Sequence, residues 1–183
     1  MDYAVALYFD EKSQAQLLGM MEDLCRAGVN RYLLDLGIRP HITLAYWKDQ
    51  KGIDVTDAIK RFAQAVKGTK VLFSSIGIFP GDPKVVYLSP VKDDGLIKLH
   101  NGLYQELNGK IDNYSQNYIP DNWVPHCTLA TKLTEEEILK SVNALLKVKF
   151  PVQALISQIE LIKCKPMEDI LSCEVKFKHD LGK

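Results

Sequence analysis

Two of the four histidines in this 183-residue chain occupy the same place in a repeated hexapeptide. Residues 40–45 read Pro-His-Ile-Thr-Leu-Ala, and residues 125–130 read Pro-His-Cys-Thr-Leu-Ala. Each hexapeptide begins with a proline and is rich in β-favouring residues, so each predicts a strand. Because side chains alternate between the faces of a strand, the histidine and threonine of each motif share one face.

The side chains of His41, Thr43, His126 and Thr128 could together perform acid–base chemistry on a phosphodiester. Imidazoles titrate near neutral pH, so one histidine can accept a proton while the other donates one. The threonine hydroxyls can donate hydrogen bonds to non-bridging phosphate oxygens. This chemistry requires no metal and no cofactor, so we expect neither. The alternative is two strand histidines satisfied by core hydrogen bonds, against which the duplication of the whole hexapeptide argues.

Strict alternation along the two strands makes further predictions about neighbouring residues. Ala45 and Ala130 should continue the face of the histidines and leave room for a ligand. Trp47 shares that parity, whereas Tyr46 should point to the opposite face.

Four other residues are candidates to line the same cleft. Two tyrosines lie late in the equivalent first strands of the two halves, a tryptophan precedes the second motif, and an arginine precedes the first. Aromatic rings can stack a nucleobase and guanidinium groups bind phosphate. These candidates are Tyr8, Tyr87, Trp123 and Arg39. His100 lies on the leucine stripe of a predicted helix and is expected to be a core residue.

The elements that must position these residues recur in the order strand, helix, strand, helix, strand. Equivalent elements lie roughly 82 residues apart, which indicates an internal repeat. We therefore predict one domain, residues 1–183, with halves at about 1–80 and 84–177. The expected fold class is α+β, a bilobal duplicated αβ fold whose two mostly antiparallel sheets face each other across a central cleft. Thr134 and Glu137 form a predicted capping box at the start of the last helix.

Composition excludes several classes of protein. Lys+Arg and Asp+Glu number 23 each, so the net charge is zero and a duplex DNA partner is not expected. No apolar run is long enough for a membrane span, and no signal peptide is recognised, so a cytoplasmic monomer is expected. Four cysteines show no zinc spacing and are expected to be reduced, and two of them, Cys164 and Cys173, can meet in a C-terminal hairpin.

The paired His-x-Thr-Leu motifs, one in each half of the chain, resemble those of the two-histidine (2H) phosphoesterase superfamily, in particular its 2′-5′ RNA ligase-like and cyclic phosphodiesterase branch. The resemblance implies that His41 and His126 are the catalytic pair and that Thr43 and Thr128 bind the phosphate. It implies a nucleotide or RNA-end substrate, with a 2′,3′-cyclic phosphate opened to a 2′-phosphate. Several bacterial members carry an arginine shortly after the second motif, where this chain has Ala130-Thr131-Lys132.

The function expected from these observations is metal-independent hydrolysis of a nucleotide or RNA-end phosphodiester. Two alternatives remain open. The same residues could bind a phosphate without turnover, or the chain could be a 2′-5′ RNA ligase or phosphodiesterase that also runs the reverse reaction.

Overall fold

The computed structural model describes residues 1–49, 52–111, 113–167 and 170–182. Strands and helices alternate along these residues in the predicted order. The strands are β1 (Asp2–Phe9), β2 (His41–Lys48), β3 (Thr69–Phe79), β4 (Val85–Pro90), β5 (Cys127–Thr131), β6 (Val152–Met167) and β7 (Ile170–Asp180). The helices are α1 (Glu11–Arg26), α2 (Tyr32–Asp35), α3 (Thr56–Ala65), α4 (Asp94–Leu107) and α5 (Glu135–Leu145), with a 3-10 turn at Gln116–Tyr118.

The strands form one hydrogen-bonded sheet in the order β2-β1-β6-β3-β4-β5, with β7 also paired to β6. Every pairing between these strands is antiparallel, as predicted. The two separate sheets of the prediction are joined, because β6 is 16 residues long. Its first residues pair with β3, and the remainder pairs with β1 and β7.

The strand order reflects the internal repeat. The third strand of each half crosses to the other half, so β6 lies beside β1 and β3 lies beside β4. The counterparts in the two halves are β1 and β4, β2 and β5, and β3 and β6. If each strand is replaced by its counterpart, the result is the same strand order read from the opposite end of the sheet. The two motif strands, β2 and β5, are therefore equivalent, and they contact each other although they stand at opposite ends of the path. The sheet must curve for its ends to meet in this way.

The longer helices α1, α3 and α4 pack on one face of the sheet, whereas the short helix α2 borders the cleft. Along β1, Val5, Leu7 and Phe9 belong to the hydrophobic core. The alternate residues Ala6 and Tyr8 line a cleft on the other face. This division places the core between helices and sheet and leaves the second face for a ligand.

Helix ends follow the sequence. The capping box of Thr134 and Glu137 is present at the start of α5, as predicted. Glu137 also accepts a hydrogen bond from the backbone N–H of Asn30 at 2.8 Å, which ties α5 to the loop before α2. Helix α2 was not predicted, because four residues are too short to show a helical period. Among the described residues, none of the helices has the length and apolar character needed to cross a membrane.

Candidate active site

A cleft of about 490 Å³ opens on the face of the sheet opposite the core, with Tyr32 and Leu33 of α2 at its edge. His41, Thr43 and Thr128 line it, together with Tyr8 and Arg39. His126 lies close enough for its charge to lower the pKa of His41. The structure thus brings both motifs to one place, because β2 and β5 meet at the ends of the sheet.

The two imidazoles are held in the same way. Nδ1 of His41 lies 2.7 Å from the carbonyl oxygen of Arg39, and Nδ1 of His126 lies 2.8 Å from that of Val124. A carbonyl oxygen only accepts, so each Nδ1 carries the hydrogen. Each ring is therefore fixed in orientation and keeps Nε2 as the nitrogen that can exchange a proton.

Burial lowers the pKa of both histidines below the usual value. The hydrogen bonds to the carbonyl oxygens act in the opposite direction and raise the pKa. A positive charge on His126 further lowers the pKa of His41, so the pair resists taking up a second proton. One charged and one neutral imidazole is the state that paired acid and base catalysis requires.

Arg39 is anchored beside His41 by a residue that sequence reasoning missed. Its guanidinium Nη2 lies 2.7 Å from Oε1 of Glu160, whose side chain is only 2% exposed. The same guanidinium lies over the ring of Tyr8, 3.9 Å from its centroid. The signal in the sequence was an acidic residue between Ile159 and Leu161 in a stretch that predicts a strand. Glu160 also lines the cleft, where its charge raises the pKa of His41.

Thr43 is held by two aromatic residues. The indole Nε1 of Trp123 donates a hydrogen bond to the Thr43 carbonyl oxygen at 3.0 Å. The phenol of Tyr118 is hydrogen-bonded to the Thr43 side chain. Trp123 is 2% exposed and stacks on His100 at 4.1 Å between ring centroids. The prediction that Trp123 lines the cleft is wrong, because its ring fills the core behind the strand, while His100 is a core residue as predicted.

The two tyrosines predicted from equivalent strands contact equivalent histidines. The Tyr8 and His41 rings are 5.6 Å apart, and the Tyr87 and His126 rings are 5.4 Å apart. Tyr8 lines the cleft, whereas Tyr87 packs against both His126 and Phe79. Both tyrosines therefore support an imidazole ring.

Each motif strand contains a β-bulge at the leucine of its hexapeptide. The register of β2 against β1 shifts at Leu44, and that of β5 against β4 shifts at Leu129. An extra residue in one strand resets the alternation of side chains beyond it.

The bulges overturn the predictions that assumed strict alternation. Ala45 and Ala130 belong to the buried core instead of the cleft face, and Trp47 is buried there too. Tyr46 and Thr131, at the equivalent position five residues after each histidine, line the cleft instead.

Charge in the cleft is nearly balanced. Arg39 and Glu160 both line it and form an ion pair with each other. In the described part of the chain, no three His, Cys, Asp or Glu side chains are grouped so that they could hold a metal ion.

Comparison with known proteins identifies relatives along almost the whole chain. A family model described as the 2′-5′ RNA ligase superfamily matches residues 11–165. The structure of TT0787 of Thermus thermophilus aligns over 100% of both chains, with a TM-score of 0.66 and 18% identity. No curated protein sequence matches the chain.

The E. coli protein LigT has a similar structure as well. Its complex with 3′-AMP aligns over 99% of this chain and 98% of that one, with a TM-score of 0.62 and 15% identity. Its complex with phosphate gives a TM-score of 0.57 and 16% identity, over 99% and 97% of the two chains. At these identities the likeness establishes the fold, and it confirms the predicted fold class.

Proposed function

The chain belongs to the 2′-5′ RNA ligase superfamily of two-histidine phosphoesterases, and we propose that it hydrolyses a nucleotide or RNA-end phosphodiester. The favoured substrate class is a 2′,3′-cyclic phosphate, opened to a 2′-phosphate. The observation that carries the proposal is the matched pair of His41 and His126. Both rings keep Nε2 for proton transfer. His41, Thr43 and Thr128 line one cleft, and His126 is near enough to His41 for its charge to lower the pKa of that ring.

The proposed reaction is an in-line displacement at phosphorus. One imidazole takes a proton from water through Nε2 as the new phosphorus–oxygen bond forms. The other donates its proton to the 3′ oxygen as that phosphorus–oxygen bond breaks, which leaves a 2′-phosphate. The hydroxyls of Thr43 and Thr128 donate hydrogen bonds to the non-bridging oxygens, where charge accumulates. Arg39 lines the same cleft and can donate further hydrogen bonds to a phosphate, while Glu160 balances its charge.

The nucleotide class is supported by the relatives. LigT has been crystallised with 3′-AMP and with phosphate. The first ligand is a nucleotide phosphoester, and the second corresponds to its phosphate group. In this chain, Tyr46 and Tyr118 line the cleft, are partly exposed and offer ring faces for a base. We also propose that the halves 1–80 and 84–177 act as one unit, since each contributes one motif to the cleft.

Turnover of the four nucleoside 2′,3′-cyclic monophosphates in buffer with EDTA tests the proposal. Phosphorus NMR should show 2′-monophosphates as products. His41→Ala and His126→Ala should each lower turnover by about 10²-fold or more, the usual scale for loss of a general acid or base. His179→Ala removes a histidine of β7 that packs on Phe177, so it should retain activity and serves as the matched control.

Two results would contradict this mechanism. Full activity in either of the two motif variants would exclude an obligatory histidine pair. Activity lost in EDTA and restored by zinc or magnesium would indicate metal-dependent hydrolysis instead. If calorimetry detects nucleotide binding where no substrate turns over, the chain is a phosphate-binding module.

A further inference from the structure

Two cysteines face each other across the C-terminal hairpin. Cys164 of β6 and Cys173 of β7 are directly paired in the antiparallel ladder. Residues opposed in this way have side chains on the same face and Cα atoms about 4.5–5.5 Å apart. A disulfide requires Cα atoms about 4.4–6.8 Å apart, so the backbone is already placed for one. Both cysteines are free thiols here.

The pair lies in the wall of the candidate active-site cleft. Cys164 and Cys173 both line it, as does Tyr8. Cys173 is exposed, whereas Cys164 is only 8% exposed. A reagent in solvent therefore reaches Cys173 first, and Cys164 is the adjacent thiol that can then form a disulfide with it.

The burial of Cys164 and its hydrogen bond with Cys173 raise the pKa of its thiol to about 12. Cys164 therefore stays protonated while Cys173 reacts. The other two cysteines have different surroundings. Cys25 lies in α1 with its sulfur 3.6 Å from the Asn30 carbonyl oxygen, and Cys127 is fully buried in β5.

We propose that Cys164 and Cys173 form a thiol-modification site that closes to an intramolecular disulfide on reaction with a peroxide. The Cys173 thiol loses its proton, and the thiolate sulfur attacks a peroxide oxygen. The O–O bond breaks, a sulfenic acid forms, and the hydroxide that leaves takes up the released proton to become water. The sulfur of Cys164 then attacks the Cys173 sulfur, the S–O bond breaks, and a second water leaves with the proton of Cys164. In sum, two thiols lose two electrons and two hydrogens, and one hydrogen peroxide becomes two waters.

The disulfide would alter the cleft without touching the two motifs. It would join β6 to β7 at the surface of the cleft, at the ladder position opposite Asp2 of β1. This site is separate from the proposed hydrolysis and does not depend on it.

Mass spectrometry of the full, reduced chain treated with hydrogen peroxide tests the site. The intact mass should fall by the mass of two hydrogens, and a digest without reductant should contain one peptide pair linked through Cys164 and Cys173. Dithiothreitol should restore the original mass. Cys25→Ser should form the same link, which makes it the matched control.

Cys164→Ser should abolish the mass loss and leave Cys173 to gain oxygen instead. The proposal is overturned if the unsubstituted chain shows no linked peptide, if Cys173 is oxidised to a sulfinic acid while Cys164 remains a thiol, or if the link forms between two chains. Mass spectrometry detects each of these outcomes without any measurement of hydrolysis, so the test is independent of the proposed activity.

Discussion

At the scale of single residues, the two histidines are alike in their hydrogen bonds and unlike in their surroundings. Each donates Nδ1–H to the carbonyl two residues upstream. His41 stands beside the charged pair of Arg39 and Glu160, whereas His126 packs against the rings of Phe79 and Tyr87. The repeat therefore produces two equivalent rings in different electrostatic environments, which is the condition for different roles.

The stability of the protein should depend on pH through its buried histidines. Burial lowers the pKa of His41, His100 and His126 in the folded state, while the unfolded chain titrates near about 6.5. As the pH falls below that value, the unfolded state binds protons that the folded state excludes. Stability present above about pH 6.5 is therefore lost as the pH falls through the folded-state pKa values.

Urea unfolding at about pH 7.5 and about pH 5.5, either side of the ordinary histidine pKa, should give a smaller free energy of unfolding at the lower pH. His100→Gln should weaken this pH dependence, because His100 lies in the core away from the cleft. Equal free energies at the two pH values would contradict the burial argument.

Removal of Arg39 should destabilise the fold more than removal of an ordinary surface arginine. Arg39→Ala leaves the buried carboxylate of Glu160 without its cation. An unsatisfied buried group costs about 1–3 kcal/mol. Arg31→Ala is the matched control, because Arg31 pairs with Asp35 where both side chains are largely exposed, and exposed pairs contribute about 0.2–1 kcal/mol. Urea unfolding compares the two, and equal losses would show that Glu160 is satisfied without Arg39.

At the scale of the elements, β-bulges and aromatic supports position the site. Leu44 and Leu129 are the extra residues of equivalent bulges, and both are buried. Because of each bulge, the leucine and the alanine that follows it both lie in the core. The next residue, Tyr46 in β2 and Thr131 in β5, lies on the cleft face. On β4, beside β5, the ring of Tyr87 packs against His126, and Gly77 of β3 leaves room for that ring because it has no Cβ.

Gly77→Ala should therefore damage the site from a neighbouring strand. A Cβ at Gly77 would lie 2.2 Å from Cζ of Tyr87, so the ring must move, and it packs against His126. A displaced catalytic group can cost up to about 10²-fold in rate, and overpacking costs about 1–3 kcal/mol in stability. Turnover of a nucleoside 2′,3′-cyclic phosphate and urea unfolding measure the two effects.

Gly19→Ala provides the same chemical change in an open setting. Gly19 lies inside α1 and a Cβ there meets nothing within 4 Å. Alanine in a helix interior is favoured over glycine by about 0.5–1 kcal/mol. This variant should be more stable and equally active, and an equal loss of turnover in both variants would refute a specific role for Tyr87.

At the scale of the whole molecule, balanced charge limits the partners. The chain has equal numbers of acidic and basic residues, and the cleft contains a paired arginine and glutamate. Each phosphate neutralised on a single strand contributes about −0.7 to the slope of log affinity against log salt. A protein that binds only the end of an RNA contacts few phosphates, whereas a protein that binds a folded RNA contacts many.

Binding of a short RNA with a terminal 2′-phosphate should accordingly show a slope no steeper than about −2. Titrations at several salt concentrations measure it. A transfer RNA serves as the comparison. A much steeper slope with transfer RNA would reveal a basic surface and would favour ligation of a large RNA over hydrolysis of a small cyclic phosphate.

The sequence by itself determined the element order, the repeat and the two His-x-Thr motifs, because these depend on local periods and on chemistry repeated in the chain. The family match and the similar structures confirm the family and the fold class. His100 and the capping box of Thr134 were also readable, since a helical stripe and a cap depend only on near neighbours.

Only the tertiary structure decided the rest, because it depends on pairings between residues distant in sequence. The bulges at Leu44 and Leu129 exist only in the register of one strand against another, so Tyr46, Ala45 and Ala130 were assigned to the wrong faces. Trp123 is a core residue because His100 offers it a stacking partner. Glu160 meets Arg39 because β6 runs beside β1, and the long reach of β6 joins into one sheet what the repeat alone predicted as two.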